Sequence, residues 1–189
     1  MRKFLYYNGL SIVFLLLFFI VFAGQIFFGL EEYNSELVDD GGTAVTLAQY
    51  LSSGHFVEST FENWESEFLQ MGLFVWFTIF LRQKGSSESK KCGGKEEVDR
   101  QPSARRKGAP WPVKKGGIIL KLYENSLTIS LLLLFIISFA LHFAGSMADE
   151  NLKLGLKDKP LLTVMQYAGK PRFWFESFQN WQSGRLRQS

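Results

Sequence analysis

Ser126 to Gly145 reads SLTISLLLLFIISFALHFAG, 20 residues with no charge except the titratable His142, bounded by Glu124 and Asp149. At about 1.5 Å per residue, a helix of this length matches the roughly 30 Å hydrocarbon thickness of a bilayer. The same pattern opens the chain: Leu10 to Phe28, LSIVFLLLFFIVFAGQIFF, has 19 residues and no charge. A third apolar run, Phe68 to Leu81 (FLQMGLFVWFTIFL), has only 14 residues between Glu67 and Arg82. At that length a buried, re-entrant or interfacial segment competes with a span. Phe61 and Trp64 extend the run into the headgroup layer at one end, and Arg82 and Lys84 snorkel at the other, so it reads as a third span. The opening Met-Arg-Lys also suits a signal peptide with a weak cleavage site at Phe22-Ala-Gly-Gln. The length of the apolar region and its return inside the chain favour an uncleaved anchor.

The formal net charge of +3 conceals a segregation that sets orientation. Residues 31–67 carry nine acids and no Lys or Arg, whereas residues 82–121 carry 12 Lys and Arg against four acids. By the preference of basic loops for the cytoplasm, the N-terminus and the basic segment lie inside and residues 31–67 outside. Met147 to Ser189 then lies outside too, although its seven basic residues fit the rule less well. The expected location is a multi-pass protein of the bacterial inner membrane.

Displacing the chain on itself by 117 residues brings Tyr6 onto Tyr123, Asn8 onto Asn125 and Leu15-Leu16-Leu17-Phe18 onto Leu132-Leu133-Leu134-Phe135. Without a gap, Asn34 then meets Asn151, Leu37 meets Leu154, Thr46 meets Thr163, and Gln49-Tyr50 meets Gln166-Tyr167. Phe56, Phe61, Asn63, Trp64 and Ser66 fall on Phe173, Phe178, Asn180, Trp181 and Ser183. Polar and aromatic identities outside the apolar runs are not explained by shared leucine content, so two copies of one unit are expected. Both copies enter the membrane from the same side, which makes them parallel repeats, an arrangement some transporters use. After Trp181 the second copy continues as QSGRLRQS where the first has an apolar run, so a fourth helix is expected to be truncated. The expected divisions are a first membrane hairpin at 1–82, a basic linker at 83–117 and an incomplete second repeat at 118–189.

An N-terminal span, the segment YLSSGHFVESTFENWESEFLQ, a short span ending FLRQKGSSES and a further span together resemble a family of small uncharacterised bacterial membrane proteins. The likeness covers nearly the whole chain except the linker and the last six residues, and its most specific element is Asn63 to Gln70. It implies four helices and no established activity. Departure from the pattern after Ser183 bears on the fourth helix and on any site it would complete.

Polar groups within apolar spans are costly and mark candidate functional positions. Gln25 and His142 are such a pair, superposed by the 117-residue displacement and able to hydrogen-bond across a helix pair or line a vestibule. Structural pairing or snorkelling is the blander reading and the stronger one. Glu58, Glu62 and Glu65 share one helical face beside His55, but hard cations need several converging oxygens, and a solvated face is expected instead. The matched Phe56, Phe61, Asn63, Trp64 and Ser66, with Phe173, Phe178, Asn180, Trp181 and Ser183, are read as an interfacial motif on amphipathic helices lying at the outer membrane surface.

Catalysis finds no nucleophile with a base and an orienting group: there are two histidines, and the single Cys92 lies in the basic linker. No catalytic residue, metal ligand or cofactor is assigned. The linker, rich in Lys, Arg, Gly and Ser, is expected to be largely disordered. Its charges suit anionic headgroups, while Trp111 alone gives no stacking platform for nucleic acid. Ala140, Ala144 and Ala148 form a row of small residues that permits close helix approach. The sequence thus describes an all-α integral membrane protein of helical-hairpin repeats with three transmembrane helices. Its expected partners are the lipid bilayer and either a second copy or another membrane protein. A non-enzymatic role is expected, with a small transporter or channel as the alternative.

Overall fold

The computed structural model describes residues 2–84 and 102–183; Cys92, with residues 85–101 of the basic linker, and the residues after Ser183 lie outside the described residues. Among the described residues every regular element is an α-helix: α1 Arg2–Asp39, α2 Leu47–Leu51, α3 Gly54–Phe80, α4 Trp111–Lys115, α5 Gly117–Glu124, α6 Ser126–Leu156, α7 Val164–Ala168 and α8 Pro171–Ser183. Two are long and apolar enough to cross a membrane, within Lys3–Asp39 and Ser126–Leu156. Both run beyond the apolar stretches. α1 carries its helix through Glu31 to Asp39, and α6 through Asp149 to Leu156, because no proline interrupts either sequence.

The segment from Phe56 to Leu81 differs from the expectation of an interfacial helix followed by a short span. It is a single 27-residue helix, α3, whose polar first half leads without a break into the apolar second half. Its one internal glycine, Gly72, is helical and packed, with space for a Cβ at 3.5 Å from the Cβ of Leu131. Within the basic segment, Trp111–Lys115 and Gly117–Glu124 are helical, with Gly116 between them at φ +68°, a conformation that favours glycine. Lys115 lies over the Trp111 ring at 5.0 Å.

The chain forms two compact units, one of Met1–Thr60 with Leu141–Lys170 and one of Phe61–Ala140 with Pro171–Ser189. In the first, Tyr33, Leu37 and Tyr50 form a buried core with Leu30, Val45 and Phe56 packed against it. Asn34 staples the return of the chain: its side chain donates to the Val45 carbonyl at 3.1 Å and accepts from the Val45 amide at 2.7 Å. Thr46 then caps α2 in a reciprocal box with Gln49. The same bonds recur 117 residues on, where Asn151 bridges Leu162 at 3.1 and 2.7 Å and Thr163 caps α7 with Gln166. The turns between also correspond, with Gly41 at φ +85° and Asp158 at φ +53°.

In the second unit aromatic rings join α8 to the first half of α6: Phe173 lies 5.6 Å and Trp174 6.1 Å from Phe139, and Trp181 lies 6.0 Å from Phe135.

Two glycines of the first unit, Gly54 and Gly145, bring backbone against backbone. A Cβ at Gly54 would lie 2.5 Å from the Gly145 carbonyl oxygen and 2.7 Å from the Asp149 amide nitrogen. A Cβ at Gly145 would lie 2.7 Å from the Glu58 amide nitrogen and 2.8 Å from the Gly54 carbonyl. Both neighbours are backbone, so nothing flexible can yield. Gly145→Val should therefore destabilise the protein by about 1–3 kcal/mol or prevent its folding. Gly9→Ala, where nothing lies within 4 Å, should leave the detergent-solubilised melting temperature unchanged or slightly raised. Equal melting of the two variants would contradict the crossing.

Candidate functional site

The glycine crossing decides which side chains meet. With α3 against α6 at Gly54 and Gly145, Glu58 faces the α6 turn that carries His142 and Ser146. These lie four residues apart and share a helix face. That face continues as a polar stripe inside an otherwise apolar helix: Ser138, His142, Ser146 and Asp149 are all buried, and Lys153 is half-buried.

The stripe is hydrogen-bonded. Ser146 Oγ donates to Glu58 Oε1 at 2.7 Å, and the buried Tyr167 hydroxyl, supplied by α7, donates to Ser146 Oγ. The Phe143 ring meets the Tyr167 ring edge-on at 5.2 Å and seats it. His142 is fully buried, and its imidazole and the Glu58 carboxylate bring ligand atoms within 4.8 Å of each other. A carboxylate with one oxygen fixed by a serine that is itself fixed by a tyrosine, beside an imidazole, can hold a proton or a cation.

Farther along α6, Lys153 Nζ is 2.9 Å from Glu36 Oε2 of α1 and 2.9 Å from Asp149 Oδ2. Burial pulls this ammonium's pKa down, but the hydrogen bonds and charges of Glu36 and Asp149 outweigh it, so the pKa stands above the ordinary lysine value and the charge persists at neutral pH. Lys157 pairs with Asp40 at 2.8 Å. Burial raises the pKa of the Tyr50 phenol, which packs against Gly29 and Phe56 and stays neutral.

The residues singled out by sequence are distributed differently. Gln25 is half-buried and His142 fully buried. The interfacial set divides: Phe56 packs on Tyr50 and Phe22, Phe173 is fully buried, and Ser66 is buried and donates to the Asn63 carbonyl. Asn63, Trp64 and Phe178 face outward, Phe61 and Trp181 are half-buried, and the side chain of Ser183 lies outside the described residues.

The acids expected on a solvated face are instead engaged. Glu65 is fully buried, Glu58 holds Ser146, and Glu62 accepts from Asn180. The correction follows from α3 being packed along its first half. Sequence reading passed over Glu58, Ser146 and Tyr167 as a group; the signals were the four-residue spacing of His142 and Ser146 and the repeated Gln-Tyr pair.

Replacing Ser146 by Ala leaves both Glu58 and Tyr167 without the group between them, so a loss of about 1–3 kcal/mol is expected. Tyr167→Phe keeps the Ser146 bond to Glu58 and should cost less. Thermal melts in detergent rank the two, and the reverse order would rule out the chain of bonds.

No curated protein matches the chain, and neither does any solved structure. A family model described as "Domain of unknown function (DUF6766)" matches residues 1–188, so the chain belongs to that family, whose function is not established.

Proposed function

We propose that this is a non-enzymatic integral membrane protein built from two copies of one helical-hairpin unit, whose apolar helices contact lipid and a membrane partner or a second copy. The observation that carries the reading is the state of α1: it is long and apolar enough to span, and none of its most apolar 18-residue stretch is buried within the protein. Phe14, Leu15, Leu16, Leu17, Phe19, Ile20 and Val21 form an exposed apolar surface that water does not tolerate and a bilayer does. The apolar half of α3 supplies the third span. The charge distribution supports a topology with the N-terminus and residues 83–117 in the cytoplasm and residues 31–67 outside the cell membrane. The recurrence of the Asn34 and Thr46 bonds at Asn151 and Thr163 supports the two-copy reading.

Cysteine labelling tests the topology. On a Cys92→Ser background, Ser52→Cys should react with a membrane-impermeant maleimide in intact cells, and Ser103→Cys only after lysis. Labelling of both in intact cells would overturn the arrangement. Leu16→Arg should impair membrane insertion by about 2.5–3.5 kcal/mol, seen as a fall in the carbonate-resistant fraction.

A second reading, a small transporter or channel, is favoured by the buried polar stripe of α6 and by Glu58 beside His142. If it holds, liposomes containing the protein show a proton or cation flux that Glu58→Gln and His142→Gln abolish while folding persists. Absence of flux from the unaltered protein would leave the first reading.

A further inference from the structure

Two ion pairs in the first unit share a numerical property. Glu36 pairs with Lys153 and Asp40 pairs with Lys157, and in both cases the partners are 117 residues apart, the displacement that superposes the two halves of the sequence. A contact between equivalent residues of two copies places them beside a local two-fold axis, as in an isologous dimer where position i meets position i. In a dimer of identical units such positions would carry identical residues. Here they carry opposite charges.

We propose that these pairs form a charge clasp that makes the first copy a partner for the second copy of the same chain and not for the first copy of another. Pairing two first copies would set Glu36 against Glu36 and Asp40 against Asp40; pairing two second copies would set Lys153 against Lys153 and Lys157 against Lys157. Both arrangements are repulsive, and only the mixed one is attractive. Part-burial strengthens the discrimination: Asp40 and Lys153 have side chains only about a quarter exposed, 23% and 24%, so solvent screens them incompletely.

The clasp has a consequence for the polar cluster. Ser146, His142 and Tyr167 belong to the second copy, and Glu58 belongs to the first. At the equivalent positions the chain carries Gly29, Gln25, Tyr50 and Phe175. Two first copies would offer Glu58 no Ser or His at those positions, and two second copies would offer Phe175 in place of the carboxylate. Mixed pairing yields one carboxylate–imidazole–serine site per chain.

This inference rests on the proposed membrane protein of two copies, and the tests separate a failed clasp from a failed membrane arrangement. With Cys92→Ser in the full chain, Glu36→Cys with Lys153→Cys should be joined by a short bifunctional maleimide into a linked monomer, whereas Glu36→Cys alone should yield no linked dimer. A linked dimer from Glu36→Cys alone overturns the clasp. Glu36→Lys with Asp40→Lys should lower the melting temperature, and adding Lys153→Glu with Lys157→Glu should restore it. A fourfold variant that melts no higher than the double variant overturns the clasp as well. Cysteine labelling reports on topology alone, so a failed clasp and a failed membrane arrangement give different results.

Discussion

The approach of two glycines, Gly54 on α3 and Gly145 on α6, is the constraint from which the polar site follows. With no side chain on either, backbone meets backbone, and a Cβ at either position would sit within 3 Å of main-chain atoms of the other helix. Small residues let two helix backbones come this close, so the contact is made by main chain and short side chains. The row Ala140, Ala144 and Ala148 suggested this kind of contact from sequence, but Ala140 and Ala144 are exposed and the crossing turns on the neighbouring Gly145. Only the last member of the row, Ala148, reaches the crossing, its Cβ 3.0 Å from a Cβ at Gly54, a distinction that a period of 3.6 residues without a partner helix does not supply.

Once the helices touch there, Glu58 is held one turn past the crossing on α3 and has Ser146 within reach. The polar groups on this face are costly to bury singly, and two of them are answered from other elements: Ser146 meets Glu58 from α3 and Tyr167 from α7, and Lys153 meets Glu36 from α1. The stripe thereby gathers α1, α3 and α7 around α6. Part-exposed ion pairs such as Lys157 with Asp40 contribute about 0.2–1 kcal/mol each at most. Their weight lies in which partner they select rather than in how tightly they hold it.

The long apolar helices were legible because composition alone reveals them: a charge-free run of some 20 residues has few other readings. Their true ends were not, since Glu31 to Asp39 and Asp149 to Leu156 are polar sequences whose partners, Glu36 with Lys153 and Asp40 with Lys157, stand 117 residues apart. The acids of α3 misled for the same reason. Glu58, Glu62 and Glu65 show helical spacing and nothing more, and the groups that bury or engage them stand up to 118 residues away. The displaced identities, by contrast, were legible and correspond to local hydrogen bonds: Asn34 and Asn151, Thr46 and Thr163, Gln49 and Gln166 each make the same short-range bond in the same turn.

On the two-copy reading, that contrast separates two kinds of constraint. Residues that shape a turn answer only to their own neighbours, so both copies retain them; even Gly41 and Asp158, which differ in type, share a positive φ that aspartate tolerates better than most residues. Residues that meet across the local axis answer to each other, and there the copies have parted: Glu36 against Lys153 and Asp40 against Lys157; the positions equivalent to His142 and Ser146 have changed as well, to Gln25 and Gly29. A joined pair of copies is free to differ where a dimer of identical chains is not, and the differences fall at the positions that turn two like surfaces into one ion-paired clasp and one polar site. Tyr50 and Tyr167 mark the boundary. Both are buried tyrosines against the residue at the matching position of a neighbouring helix, yet one meets the bare backbone of Gly29 and the other a serine hydroxyl that passes the bond on to Glu58.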